Sequence, residues 1–323
     1  MKKILNIILK TGAPLLLGAV ILFWIYRNFD FDEVLTALKG MNLGWFWLSC
    51  VFGVLSHAIR GWRWRLTLAP LGYKPANSSC VYSIFIAYAA NLVVPRVGEV
   101  SRCVVLERYD KVPFAQSLGT LVSERLVDTV MVVTITLIAV LSQWRVFYAF
   151  VAESGVTDTG SVFSSIGRIV VFFLCFIAVS FILYLIVRKM SLWVKLRSFF
   201  SRFWSGFTSL SRMQGLWLFI VETVGIWLCY FLQFYLCFFC FPFSEDISLW
   251  AALLLFVAGS IAVVVPTPNG AGPWHFCIMG IMMLYGVSST DAGVFALIVH
   301  SLQTLLVALL GIFGLIMLQI KKQ

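Results

Sequence analysis

Apolar residues gather along this chain in blocks of membrane-spanning length, at about 12–28, 43–66, 116–142, 168–187, 214–241 and 291–319. Each is near the ~20 residues that a helix needs to cross a bilayer, so six full spans are predicted. Two further apolar segments, 78–94 and 247–265, end differently. The first runs into Val94-Pro95-Arg96-Val97-Gly98 and the second into Val265-Pro266-Thr267-Pro268-Asn269-Gly270-Ala271-Gly272. Pro and Gly break the helix and free backbone groups, which membrane depth tolerates only inside protein or beside a water-filled cavity.

Polar positions concentrate around and after the first break. Asn91 and the ionisable Arg96, Glu99, Arg102, Glu124, Arg125 and Asp128 form a polar stretch inside a chain that is otherwise almost all apolar. Glu124 and Asp128 are four apart and share a helix face, with Arg125 beside them. Charges at such depth mark a substrate or ion pathway, or else a self-neutralising cluster that ties helices together.

Composition narrows the class. The 323 residues are 61% hydrophobic and 12% charged, with 29 Phe and 12 Trp, which excludes a soluble or disordered chain and predicts an all-α polytopic membrane protein. The net charge of +10 reads as a topology signal rather than a nucleic-acid footprint. No phosphate-loop motif occurs, so ATP hydrolysis is not expected. The eight cysteines lie mostly in apolar runs and read as small hydrophobes; neither a metal nor a cofactor is implied. The N-terminal Lys2, Lys3 and Lys10 precede an uncleaved first helix.

Basic residues assign the sides. The stretch 188–213, both termini and the segment from Arg60 to Lys74 fall in the cytoplasm; with the basic residues of 78–111 counted on that side and Arg125 left out, Arg27, Lys39, Arg145 and Arg168 remain outside. For this to hold, 78–111 and 247–290 must be re-entrant hairpins entering from opposite faces. Span, span, hairpin, long span then describes residues 1–142 and, inverted, 168–319, within one membrane domain. Inverted repeats with broken helices meeting at midplane are a secondary-transporter architecture. Helix starts after Gly98 and Gly272 are expected to aim free N–H groups at an anion such as a lipid phosphate.

Residues 189–213 form the linker between repeats and read as an amphipathic helix on the cytoplasmic surface. Arg60-Gly-Trp-Arg-Trp-Arg65 reads as an aromatic and basic interface anchor. His275 follows the second break, and His300 with Gln303 lies in the last long span, near the second-repeat counterparts of Glu99 and Glu124. Proton relay or headgroup contact is the expected role of the two histidines. Glu222, alone in the fifth span, is expected to pair with an arginine.

These residues resemble a known family, the flippase-like membrane region of lysylphosphatidylglycerol synthases. The resemblance rests on Asn91, Pro95-Arg96-x-Gly98-Glu99, Arg102, Glu124-Arg125-x-x-Asp128 and the second Pro-x-x-x-Gly-x-Gly at 266–272. Relatives commonly carry Glu near the end of the second motif, where this chain has Trp274-His275. In full synthases a soluble aminoacyl-transfer domain follows; here the chain stops at Gln323, so the resemblance implies the lipid-translocating part without the enzymatic one. Substrate does not transfer with the fold. The expected partners are membrane lipids with phosphate headgroups, with no nucleic acid and with homo-oligomerisation left open. The expected place is a bacterial inner membrane, and movement is expected to be downhill or proton-coupled. A membrane-embedded lipid-modifying enzyme using the same carboxylates and His300, or a regulatory membrane partner, are the alternative classes.

Overall fold

The computed structural model describes residues 16, 18–27, 31–144, 193–265 and 267–322. Among these the regular structure is all helix with no strand, and four helices are long and apolar enough to cross a membrane: Leu43–Leu71, Phe114–Ser142, Leu216–Cys240 and Ser289–Lys321. Of the other two expected spans, 168–187 lies outside the described residues. The one at 12–28 is described only in part, being helical at 18–26 (α1). The short α2 (Phe31–Gly40) leads into α3 (Leu43–Leu68), whose first turn is capped by the Asn42 side chain accepting from the Gly44 N–H.

The first broken segment is a pair of helices, α4 (Asn77–Val93) and α5 (Val97–Asp110), packed against each other. The turn between them holds Arg96 at φ 66°, a left-handed conformation uncommon outside glycine. The long α6 (Phe114–Ser142) follows. After the undescribed stretch come α7 (Trp193–Phe207) and α8 (Leu216–Leu236). The second broken segment pairs α9 (Leu249–Ala262) with α10 (Pro273–Leu284), and α11 (Ser289–Lys322) closes the chain.

Helix contacts are reciprocal between the two halves. α3 packs on α8, α4 on α11 and α6 on α9, while α5 packs on α6 as α10 packs on α11. Small residues let the backbones close in: Gly311 faces Ala89 and Gly314 faces the Tyr82 carbonyl across α11 and α4.

Polar contacts show which ends of the helices meet. The Ala76 N–H donates to Asp110 Oδ1 at 3.1 Å, joining the residue that precedes α4 to the last residue of α5. Lys321 Nζ reaches the same level, 3.8 Å from Asp110 Oδ1 and 2.5 Å from Ser79 Oγ. The base of that hairpin therefore sits at the C-terminal end of α11. The second hairpin opens directly into the N-terminal end of α11, where Asp291, Asp32, Glu33 and Pro242 border one cleft. The 34-residue α11 is about 50 Å long at 1.5 Å per residue, so the two hairpin bases lie at opposite ends of the molecule.

Helix α7 rests on α6. Gly119 and Gly206 meet there so closely that a Cβ on either would lie 2.1 to 2.2 Å from a carbonyl oxygen of the other helix. Ser123 Oγ donates to the Phe207 carbonyl at 2.5 Å. Phe200 and Trp204 stay exposed.

Candidate functional site

The site grows from α6. Glu124 and Asp128, one turn apart, are both buried and both face arginines. Asp128 accepts from Arg60 Nη1 at 3.0 Å and from Arg63 Nη2 at 2.9 Å, and Arg125 Nη2 lies 3.1 Å away. Glu124 Oε2 accepts from Arg102 Nη2 at 3.2 Å, and Arg102 lies 4.4 Å above the Trp64 ring. Arg125 also meets Glu99 at 3.6 Å, both side chains being 40% exposed. The network draws on α3, α5 and α6, with Thr223 of α8 accepting from Arg63 Nη1 at 3.1 Å.

Arg60 and Arg63 were expected at an aqueous interface, and the structure corrects this. They are 3% and 0% exposed and act as the principal counter-ions of Asp128. Their spacing of three residues was the available signal, since it places both on one helix face. Arg65 points elsewhere and donates to the Pro75 carbonyl. Glu222, expected to pair with an arginine, forms no ion pair among the described residues, and its Oε2 is buried without a hydrogen-bond partner.

The break glycines also depart from expectation. The Gly98 N–H is not free for an anion; it donates to Asn91 Oδ1 at 2.8 Å, which pins the tip of the first hairpin. The Gly272 N–H donates to His275 Nδ1 at 3.3 Å. Arg96 is exposed at the tip, where its Nη2 donates to the Val264 carbonyl at 3.3 Å and ties the first break to the second.

Between the hairpins lies a cavity of about 570 Å3. Arg60, Arg125 and Asp128 form one part of its wall, and Gln303, Gln233 and Asn269 another, with Tyr88, Trp227, Tyr230 and Trp274 supplying aromatic surface. Gly53 makes room for Gln233, because a Cβ there would lie 2.7 Å from its Nε2. Tyr230 shares a 2.7 Å hydrogen bond with Tyr88 and lies beneath Arg60.

Of the ten residues expected to bind substrate, Arg125, Asp128 and Gln303 border this cavity. Glu99, Arg102 and Glu124 support the network from behind, and Asn91 and Arg96 hold the breaks. His275 and His300 come together, with ring centroids 4.5 Å apart, but Trp274 stands beside both and faces the cavity in their place. His300 Nε2 donates to the Asn269 carbonyl at 3.1 Å and borders a separate groove of about 470 Å3 with Leu92 and Thr304. Asn269, at φ 52°, borders both spaces and donates to Thr304 Oγ1 at 2.8 Å.

The family model described as the lysylphosphatidylglycerol synthase TM region matches residues 13–311. The chain belongs to this family. Membership in the lysylphosphatidylglycerol synthase TM region accounts for the multi-pass helical membrane architecture and ties the protein to membrane-lipid function. One similar protein is the glycosyltransferase AglD of Haloferax volcanii, 31% identical over 117 residues. The match covers 36% of this chain and 19% of that relative, so the chain matches about a fifth of the relative's length.

Proposed function

We propose that this family member translocates a phosphate-bearing lipid between the leaflets of a bacterial inner membrane, with the headgroup passing through the cavity between the two hairpins. The observation that carries this reading is the charge of the cavity wall. On that wall, among the described residues, Arg60 and Arg125 outnumber the one carboxylate, Asp128, and in the whole network the four guanidiniums of Arg60, Arg63, Arg102 and Arg125 outnumber Glu99, Glu124 and Asp128. A spare guanidinium at depth suits an entering anion, and guanidinium forks match phosphate oxygens.

In this reading the hairpins are re-entrant and the halves are inverted repeats. Support comes from their lengths: α4, α5, α9 and α10 have 17, 14, 14 and 12 residues, each short of the ~20 a span needs. Further support comes from the reciprocal helix contacts and from the hairpin bases at opposite ends. Glu99 and Glu124 on α5 and α6 correspond to His275 and His300 on α10 and α11. The base of the first hairpin and both chain termini face the cytoplasm. Single cysteines at Lys74 and Lys111, in a background without native cysteines, are therefore expected to react only with reagent supplied from the cytoplasmic side. Labelling of Lys111→Cys from outside would make the first hairpin a full span.

Arg125→Gln tests the transport role. Arg125 is 40% exposed, and Asp128 keeps Arg60 and Arg63 without it. The fold should lose less than about 1 kcal/mol, as for an exposed ion pair. Lipid flux in liposomes should fall at least about tenfold if the lost guanidinium contributes ~1.4 kcal/mol to headgroup binding. Unchanged flux in a protein of unchanged thermal stability would remove Arg125 from the pathway.

A further inference from the structure

The cavity wall also constrains what the phosphate carries. Asp128 is the one carboxylate bordering the cavity among the described residues, and three guanidiniums already surround it. A headgroup ammonium would therefore find no free counter-charge there, while Arg60 and Arg125 on the same wall would repel it. Aromatic faces alone can hold a cation, but neighbouring guanidiniums cancel that attraction.

The remaining wall is uncharged and mostly apolar, with polar groups at a few positions. Trp227 and Trp274 supply ring surface, and Gln233, Gln303 and Asn269 supply amides that can both donate and accept. The Trp227 indole N–H has no hydrogen-bond partner among the described residues. Among the described residues the Gln303 amide N–H makes only a 4.0 Å contact, to Cys237 Sγ. A sugar or cyclitol ring complements such a wall: its C–H face lies on an aromatic ring while its hydroxyls exchange hydrogen bonds with amides. The cavity volume of about 570 Å3 falls within the ~300–1,000 Å3 of small-molecule sites and leaves room for more than a bare phosphate. Resting on the translocation reading above, we propose that the substrate is a phospholipid whose phosphate bears an uncharged polyhydroxylated group, with the phosphate at Arg60 and Arg125 and the hydroxyls at Gln233, Gln303 and Asn269.

The test uses the full-length protein in liposomes with three tail-labelled lipids: phosphatidylinositol, phosphatidic acid and phosphatidylethanolamine. The inositol lipid should cross at least about ten times faster than either of the others, the discrimination that about one net hydrogen bond confers. Gln303→Leu should bring the ratio of inositol lipid to phosphatidic acid towards one. The wild-type panel needs no variant to fold. Equal crossing of all three lipids, or a preference for phosphatidic acid or phosphatidylethanolamine, would overturn the polyol assignment and leave translocation standing. Crossing of none would overturn the translocation reading and the assignment with it.

Discussion

Asp128→Ala is expected to destabilise the protein by about 3–5 kcal/mol, the range for breaking a buried charge pair by removing one partner. The side chain is 8% exposed, and its loss strands Arg60 and Arg63, which are 3% and 0% exposed and have no other carboxylate within 4.0 Å among the described residues. Thermal unfolding in detergent should show a large drop in midpoint, and expression should fall with it. A compensating variant separates structure from transport. Replacing the cluster together, as Arg60→Met, Arg63→Met and Asp128→Leu, removes every stranded charge and should recover most of the stability, because buried ion pairs are often replaceable by packed apolar groups. That protein should still fail to move lipid. Restored flux would show that these three residues only hold α3 to α6.

Gly98→Ala is the second change expected to have a large effect. A Cβ at this position would lie 2.0 Å from the Ala87 carbonyl oxygen and 2.8 Å from Asn91 Oδ1. Neither atom can yield without opening the crossing of α4 and α5 or breaking the Asn91 hydrogen bond to the Gly98 N–H. Overpacking of this kind costs about 1–3 kcal/mol and more where backbone must move. The hairpin tip would spread, and flux should collapse even where the protein still folds. Gly280→Ala is the control: nothing lies within 4 Å of a Cβ there, and alanine is the better helix former. Equal behaviour of the two variants would show that the hairpin crossing tolerates a methyl group and is not the constraint described here.

Much of this was already readable along the chain. A bilayer demands ~20 apolar residues per helix, and Pro and Gly stop helices for local steric reasons, so both signals need no knowledge of neighbours. The helical period likewise placed Glu124 and Asp128 on one face. What periodicity cannot supply is the identity of the element that faces them. Arg60 and Arg63 read as interface residues because an arginine near the end of a span can turn outward to headgroups as easily as inward. Only the approach of α3 to α6 settles the direction, and it turns them inward onto Asp128.

The same limit explains the histidines and the break glycines. His275 and His300 lie 25 positions apart in sequence, and sequence alone marked both as polar residues in apolar surroundings. Their contact, and the placing of Trp274 between them and the cavity, depend on how α10 packs on α11. The N–H of Gly98 was countable as a freed donor from the helix break, yet it became a satisfied one when α4 folded back to offer Asn91. Sequence by itself determined the helical membrane class, the two breaks and which residues carry charge at depth, because each follows from local sterics or from solvation. Tertiary structure alone decided which charges neutralise one another and which remain available in the cavity, because pairing at 3 Å depends on helices distant in sequence meeting at one register.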